Sequence, residues 1–248
     1  MKTTDTTDTT DTTDSTDSTD STHSTTPRNR IRHAVAGLVL VGILSGFAAA
    51  QPAGAINPPQ STVAGTVNTL YNTVNYWSYY VVASTGRSYR SPLVGYGYAA
   101  GATRFPNGCQ IEAPHMAIYC GGDIYFHVPV NQDKINRLGD NAAGYWLAHE
   151  FGHHVATSLG LTPWFRSTAG RELYADCMAG VFTRYAYARG VLNGNDYNEA
   201  LWTLGDTYPY EGSVGGYPFK SVRKNYFAWG YSNNNVQACA DATVNLVA

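Results

Sequence analysis

Two histidines and a glutamate stand at the spacing His149-Glu150-x-x-His153, inside the stretch LAHEFGHHVATSLG at 147–160. The chain has 7 His and few Glu, so this pattern has a chance expectation of roughly 0.004 per chain, low enough to call for a mechanism. Successive helix residues turn by about 100°, so His149 and His153 project from one face, one turn apart. Two imidazoles so placed can grip one ion. Glu150 stands beside them, in reach of a water bound to that ion. Imidazole ligands with a carboxylate base suit Zn²⁺ in a hydrolase.

A catalytic zinc generally takes a third protein ligand and leaves one position to water. RELYADCMAG at 171–180 supplies a candidate. Glu172 follows His153 by 19 residues, and Asp176 follows Glu172 by one helical turn. In that arrangement Glu172 binds the metal, and Asp176 accepts a hydrogen bond from the outer nitrogen of a ligating histidine, fixing its tautomer. Competing readings are a buried polar cluster or a structural zinc, though a structural site usually closes with four ligands, often cysteine. His154 is rotated about 100° from His153, off the metal face, and reads as structural. His115 and His127 carry no ligand spacing, and Glu112 and Asp123 read as turn or surface carboxylates.

Several elements must position these groups. Residues 61–84 read as a helix, with Val67, Leu70, Tyr71, Val74 and Trp77 at helical spacing and Gly86 ending it. Leu93–Tyr96, Ala117–Cys120 and Asp123–Val128 read as strands of a small antiparallel sheet. The histidine helix runs from Asn141 to Leu159, with Asp140 or Asn141 as N-cap and Gly160 as stop. Pro163–Arg189 reads as a further helix, irregular near Gly170, and Asp196–Leu204 as a shorter one. The C-terminal segment, rich in Gly, Tyr and Asn, is not assigned. The fold class is α+β, mainly helical, with a small antiparallel sheet.

The front of the 248-residue chain differs from this body. Residues 1–27 form a Thr/Asp/Ser-rich extension with no apolar surface to bury, expected to be disordered. Residues 28–55 carry Arg28, Arg30 and Arg32, then an apolar run over 34–50, then small residues fit for cleavage, and read as a secretory signal peptide. An uncleaved span anchoring the chain through 34–50 is the alternative. A start codon assigned upstream of the true one would also explain the extension.

Residues 56–248 form the remaining body. Subtracting the 4 Lys+Arg and 6 Asp+Glu of residues 1–55 from totals of 16 and 18 leaves 12 of each sign. A neutral body has no electrostatic footprint for nucleic acid. No stable membrane partner is expected unless the signal segment stays uncleaved. All four cysteines lie in the body, and an even count behind an export signal predicts two disulfides. Three pairings are possible; Cys109–Cys120 with Cys177–Cys239 is favoured. A thiolate zinc site is the alternative, but no C-x-x-C spacing is present.

HEFGHH followed by ELYADCMAG resembles the bacterial neutral zinc metallopeptidase family, whose members carry H-E-x-G-H-H and then E-L-x-A-D-C-x-A-G. The resemblance extends to NYWSYYVVASTGRSYRSP and to the cysteine-bearing block ending in DIYFHV. It implies a gluzincin-like logic and a zincin-like fold, with the HExxH helix beneath a sheet edge. It implies one Zn²⁺ held by His149, His153 and Glu172, Glu150 as general base, Asp176 behind a ligand, and Cys177 in a disulfide. Near the C-terminus, GGYPFKSVRKNYFAWGY departs from the family pattern. Arg223, Tyr226 and Phe227 hold place, but Tyr217 stands where members carry a histidine. Tyr217 or Arg223 would then donate to the oxyanion, and a peptide or protein substrate would lie along an edge strand, taken as Asp123–Val128. A secreted zinc-binding protein without turnover, and a hydrolase of non-peptide substrates, are the competing functions.

Overall fold

The computed structural model describes residues 60–207 and 217–246. The extension, the signal segment and the apolar run 34–50 lie outside the described residues. Among those described, no helix is long and apolar enough to cross a membrane. Among the described residues, seven α-helices, a three-stranded sheet and a two-stranded ribbon make an α+β architecture.

Helix α1 (Val63–Ala83) begins where the Thr62 side chain accepts a hydrogen bond from the Gly65 N–H at 3.0 Å. Its Val63, Val67, Leu70, Val74, Trp77 and Val81 are buried at helical spacing. Strands β1 (Val94–Gly97), β4 (Ala117–Cys120) and β5 (Asp123–His127) form one sheet in the order β1-β5-β4. Strands β2 (Thr103–Arg104) and β3 (Gln110–Ile111) form a separate two-stranded ribbon.

Two sequence expectations need correction here. The main sheet is mixed, not antiparallel: β1 runs parallel to β5, while β4 runs antiparallel to it. The long connection from β1 to β5 permits this, because a parallel pair needs a crossover rather than a hairpin. The dense β-former run at 123–127 also belongs to the central strand, buried from Ile124 to His127. A central strand has no free edge, so Asp123–Val128 is not a surface for strand addition. That edge is on β4.

The chain next forms α2 (Val128–Leu138), which the sequence reading did not assign, with Pro129 in its first turn and Gly139 (φ 111°) at its end. Helix α3 (Asn141–Ser158) carries the histidines. It is buried almost all round, packed between α1, α4 (Thr168–Ala188), α5 (Asp196–Thr207) and β4. That surround explains why its sequence lacks a polar face. Asp140 occupies the N-cap position but makes no capping bond; it accepts from the Gln60 N–H at 2.7 Å. The first N–H of the helix, on Asn141, is satisfied instead by Glu199 Oε2 at 2.9 Å. Gly160 (φ 66°) stops the helix in the left-handed conformation.

The helix expected over Pro163–Arg189 is split. A 3₁₀ turn covers Thr162–Trp164, and α4 starts only at Thr168, where Ser167 Oγ accepts from the Gly170 N–H at 3.0 Å. The unassigned C-terminal segment holds α6 (Lys220–Asn233) and α7 (Val236–Thr243). Helices α4 and α6 touch backbone to backbone. A Cβ on Gly180 would sit 2.0 Å from the Phe227 carbonyl, and one on Gly230 would sit 2.1 Å from the Cys177 carbonyl. The disulfides are Cys109–Cys120 and Cys177–Cys239, the favoured pairing, and the second ties α7 to α4.

Candidate metal centre

Helices α3 and α4 cross with Gly152 against Ala175; a Cβ there would lie 2.9 Å from the Ala175 Cα. This close approach brings Glu172 to the two histidines. One ligand atom each from His149, His153 and Glu172 lies within 4.8 Å of the others. Glu172 Oε2 is 3.3 Å from His149 Nε2, and Oε1 is 3.5 Å from His153 Nε2. The imidazole rings stand 4.8 Å apart and almost perpendicular, at 89°. Glu150 is buried beside them, 3 % exposed.

Behind His149 is a buried knot of polar groups. Asp176 Oδ1 lies 2.9 Å from His149 Nδ1 and also accepts from the Tyr145 hydroxyl. Arg223 reaches Asp176 twice, Nε to Oδ2 at 2.7 Å and Nη2 to Oδ1 at 2.7 Å. An ionised carboxylate only accepts, so a proton sits on His149 Nδ1, which leaves Nε2, the atom facing Glu172, as the one that an ion would take. Asp176 and Arg223 are each 0 % exposed, so this ion pair is fully desolvated.

The electrostatics follow from these neighbours. Burial opposes charge on His149, but hydrogen bonds to Asp176 and Glu172 outweigh it and raise its pKa to about 9. Burial lowers His153 to about 4, against the attraction of Glu172. Burial pushes Glu172 up, yet His153 and His149 hold it well below the usual carboxylate range. For Asp176, burial is likewise outweighed, chiefly by the Arg223 guanidinium, and its pKa is lowered. Glu150 goes the other way: burial raises it to about 7, tempered by His149, while Glu172 adds to the rise and the Tyr119 backbone N–H lowers it.

The remaining sequence candidates are placed as follows. Tyr217 is half-buried and within electrostatic reach of Glu172, Arg171, Arg223 and Glu150. Arg223, an oxyanion candidate from sequence, faces Asp176 behind the His149 ring instead. His154 is buried on the other side of α3, with Nε2 2.8 Å from the Arg90 carbonyl and Nδ1 3.2 Å from the Tyr119 hydroxyl. It joins the helix to the edge strand and takes no part in the cluster. His115 is exposed, and His127 is buried at the start of α2. Asp123 binds Arg90 at 2.8 Å. Tyr145 was missed in the sequence, although its place four residues before His149 puts it on the same helix stripe.

Two imidazoles and a carboxylate converging in a buried recess, with a second carboxylate alongside, match the donor set of a single zinc ion. The fold and this cluster together define an α+β domain with three side chains that could hold a metal ion. The chain belongs to the family described as "Putative neutral zinc metallopeptidase", whose model matches residues 45–207. It is 30% identical over 187 residues to "Uncharacterized protein YpfJ" of Escherichia coli strain K12, covering 66% of this chain and 63% of that protein. The same figures hold for the protein of that title in Escherichia coli O6:H1. The chain thus spans less than two thirds of the length of these curated relatives. No solved structure matches it. The family match ends before Tyr217 and Arg223.

Proposed function

We propose that the protein is a secreted zinc metallopeptidase, with one Zn²⁺ held by His149, His153 and Glu172 and with Glu150 as general base. The observation that carries this reading is the convergence of three ligand atoms within 4.8 Å beside a buried glutamate. Zinc, when bound, polarises the scissile carbonyl and acidifies a water molecule. The chain's own groups do the rest. Glu150, whose pKa of about 7 suits proton traffic near neutrality, takes the proton from the attacking water and returns it to the leaving amine. Tyr217 donates a hydrogen bond to the developing oxyanion. Asp176 holds His149 in the tautomer that presents Nε2.

A zincin-like arrangement is part of the same proposal, with the substrate strand added to the free edge of β4. The His127 N–H bonds to the Met116 carbonyl, at 2.9 Å. With Ala117 opposite Phe126, the antiparallel alternation then turns the N–H and C=O of Ala117 and Tyr119 away from β5. The Ala117 N–H and C=O and the Tyr119 C=O are available to an extended peptide. The Tyr119 N–H is turned to Glu150 instead, which brings this edge close to the base. Two disulfides among the described residues suit an oxidising compartment.

The test is Glu150→Gln in the purified protein, assayed on casein and peptides with metal content measured alongside. The expected result is loss of hydrolysis by about 10²- to 10⁴-fold with one zinc per chain retained. Undiminished peptide hydrolysis in that variant would overturn the assignment.

A further inference from the structure

Asp176 Oδ1 is crowded with donors. It receives the His149 Nδ1–H at 2.9 Å, the Arg223 Nη2–H at 2.7 Å and the Tyr145 O–H. The Tyr145 oxygen in turn lies 3.3 Å from Arg223 Nη2. Every member of this knot is nearly or fully buried, so water does not dilute these bonds. A carboxylate behind a metal-ligating histidine normally makes the ring a more basic, more strongly donating ligand. Here the same oxygen that accepts from His149 is already drawn upon by a guanidinium and a phenol.

We infer that Tyr145 is a positioning residue that weakens the hold of Asp176 on the His149 proton, keeping His149 a moderate rather than a strong metal ligand. This rests on the metal-binding reading of His149. The phenol competes for the electron density of Oδ1, so the Nδ1–H···Oδ1 bond is weaker than Asp176 and Arg223 alone would make it. A moderate ligand leaves more positive charge on the ion, which favours carbonyl polarisation over tight storage of the metal. Tyr145 also has a packing role, edge-on to Trp146 and Phe227 with ring centroids 4.9 and 5.8 Å away. Phenylalanine keeps that role and removes only the hydroxyl.

The two roles predict opposite signs. If the hydroxyl only braces the site, Tyr145→Phe loosens zinc. If it draws on Asp176, the variant tightens zinc. The experiment is chelator competition at fixed pH on the full protein, giving the zinc Kd, with the His149 Nδ1–H proton resonance as a second readout. Tyr145→Phe should lower Kd by about 3- to 10-fold, less than the about 10- to 100-fold change on removing a direct partner of a ligating histidine, and move the proton downfield. Site-specific 3-fluorotyrosine at position 145, a stronger donor, should raise Kd and move the resonance upfield. An unchanged or weaker affinity in Tyr145→Phe, or the same direction in both variants, overturns the inference. A wild-type protein that binds no zinc would instead defeat the functional proposal on which it rests.

Discussion

Asp176 Oδ1 and His149 Nδ1 are 2.9 Å apart, and the carboxylate that joins them is closed off on its far side by Arg223. The ligand face of the site is thus tied to α6, well away in sequence. Asp176→Asn keeps the shape but loses the charge. It should weaken zinc binding by about 10- to 100-fold, measured by chelator competition. It also strands Arg223 without its counter-ion, and unfolding should cost about 3–5 kcal/mol less, read from denaturant titration. Equal zinc affinity in variant and parent would remove Asp176 from the support of His149.

Proton and zinc compete for His149. Its pKa in the metal-free protein is raised to about 9, above the ordinary value of 6.5. A raised folded-state pKa contributes stability that is complete below about 6.5 and is lost as pH climbs through about 9. Metal-free protein should therefore show a falling Tm across that window. The stabilisation by added zinc should grow over the same range, because the ring no longer has to release a proton. A flat difference in Tm between zinc-loaded and zinc-free samples from pH 6.5 to 9 would contradict this account.

Tyr217 lies within electrostatic reach of Glu172 and Glu150. Tyr217→Phe should lower kcat by about 10²-fold while zinc content and KM hold, as expected of a donor used only in the transition state. A fall in zinc content instead would make it part of the metal support.

The contact between α4 and α6 tolerates no side chain at Gly180, where a Cβ would meet the Phe227 carbonyl at 2.0 Å. Gly180→Ala should destabilise the protein by about 1–3 kcal/mol and pull Arg223 off Asp176. The expected signature is a lowered unfolding midpoint together with weaker zinc binding. Gly190 (φ 68°), with open space around it, is the control: Gly190→Ala strains the backbone but should leave zinc affinity intact.

The two cross-links differ in the loop each closes. Cys177–Cys239 spans 62 positions and Cys109–Cys120 spans 11. Paired serine substitutions should cost about 4 kcal/mol for the first and about 3 kcal/mol for the second by chain-entropy reasoning. Guanidinium unfolding of the two double variants would check the order, and the reverse order would show that native-state strain dominates.

His149, Glu150 and His153 were legible in the sequence because helical periodicity is local: a four-residue interval places two rings on one face whatever surrounds them. Glu172 and Asp176 were legible for the same reason, as a pair one turn apart. Other features depended on neighbours distant in the chain. The parallel pairing of β1 with β5 put Asp123–His127 in the centre and left the edges to β1 and β4, since strand order is set by a crossover and not by β-propensity. Glu199, not Asp140, satisfies the start of the histidine helix. Arg223 lies 47 positions beyond Asp176, and the close glycine contact between α4 and α6 helps to set it against that carboxylate. Local spacing determined which atoms could grip an ion. Tertiary packing decided what stands behind them, because burial and the pairing of charges are properties of the assembled core.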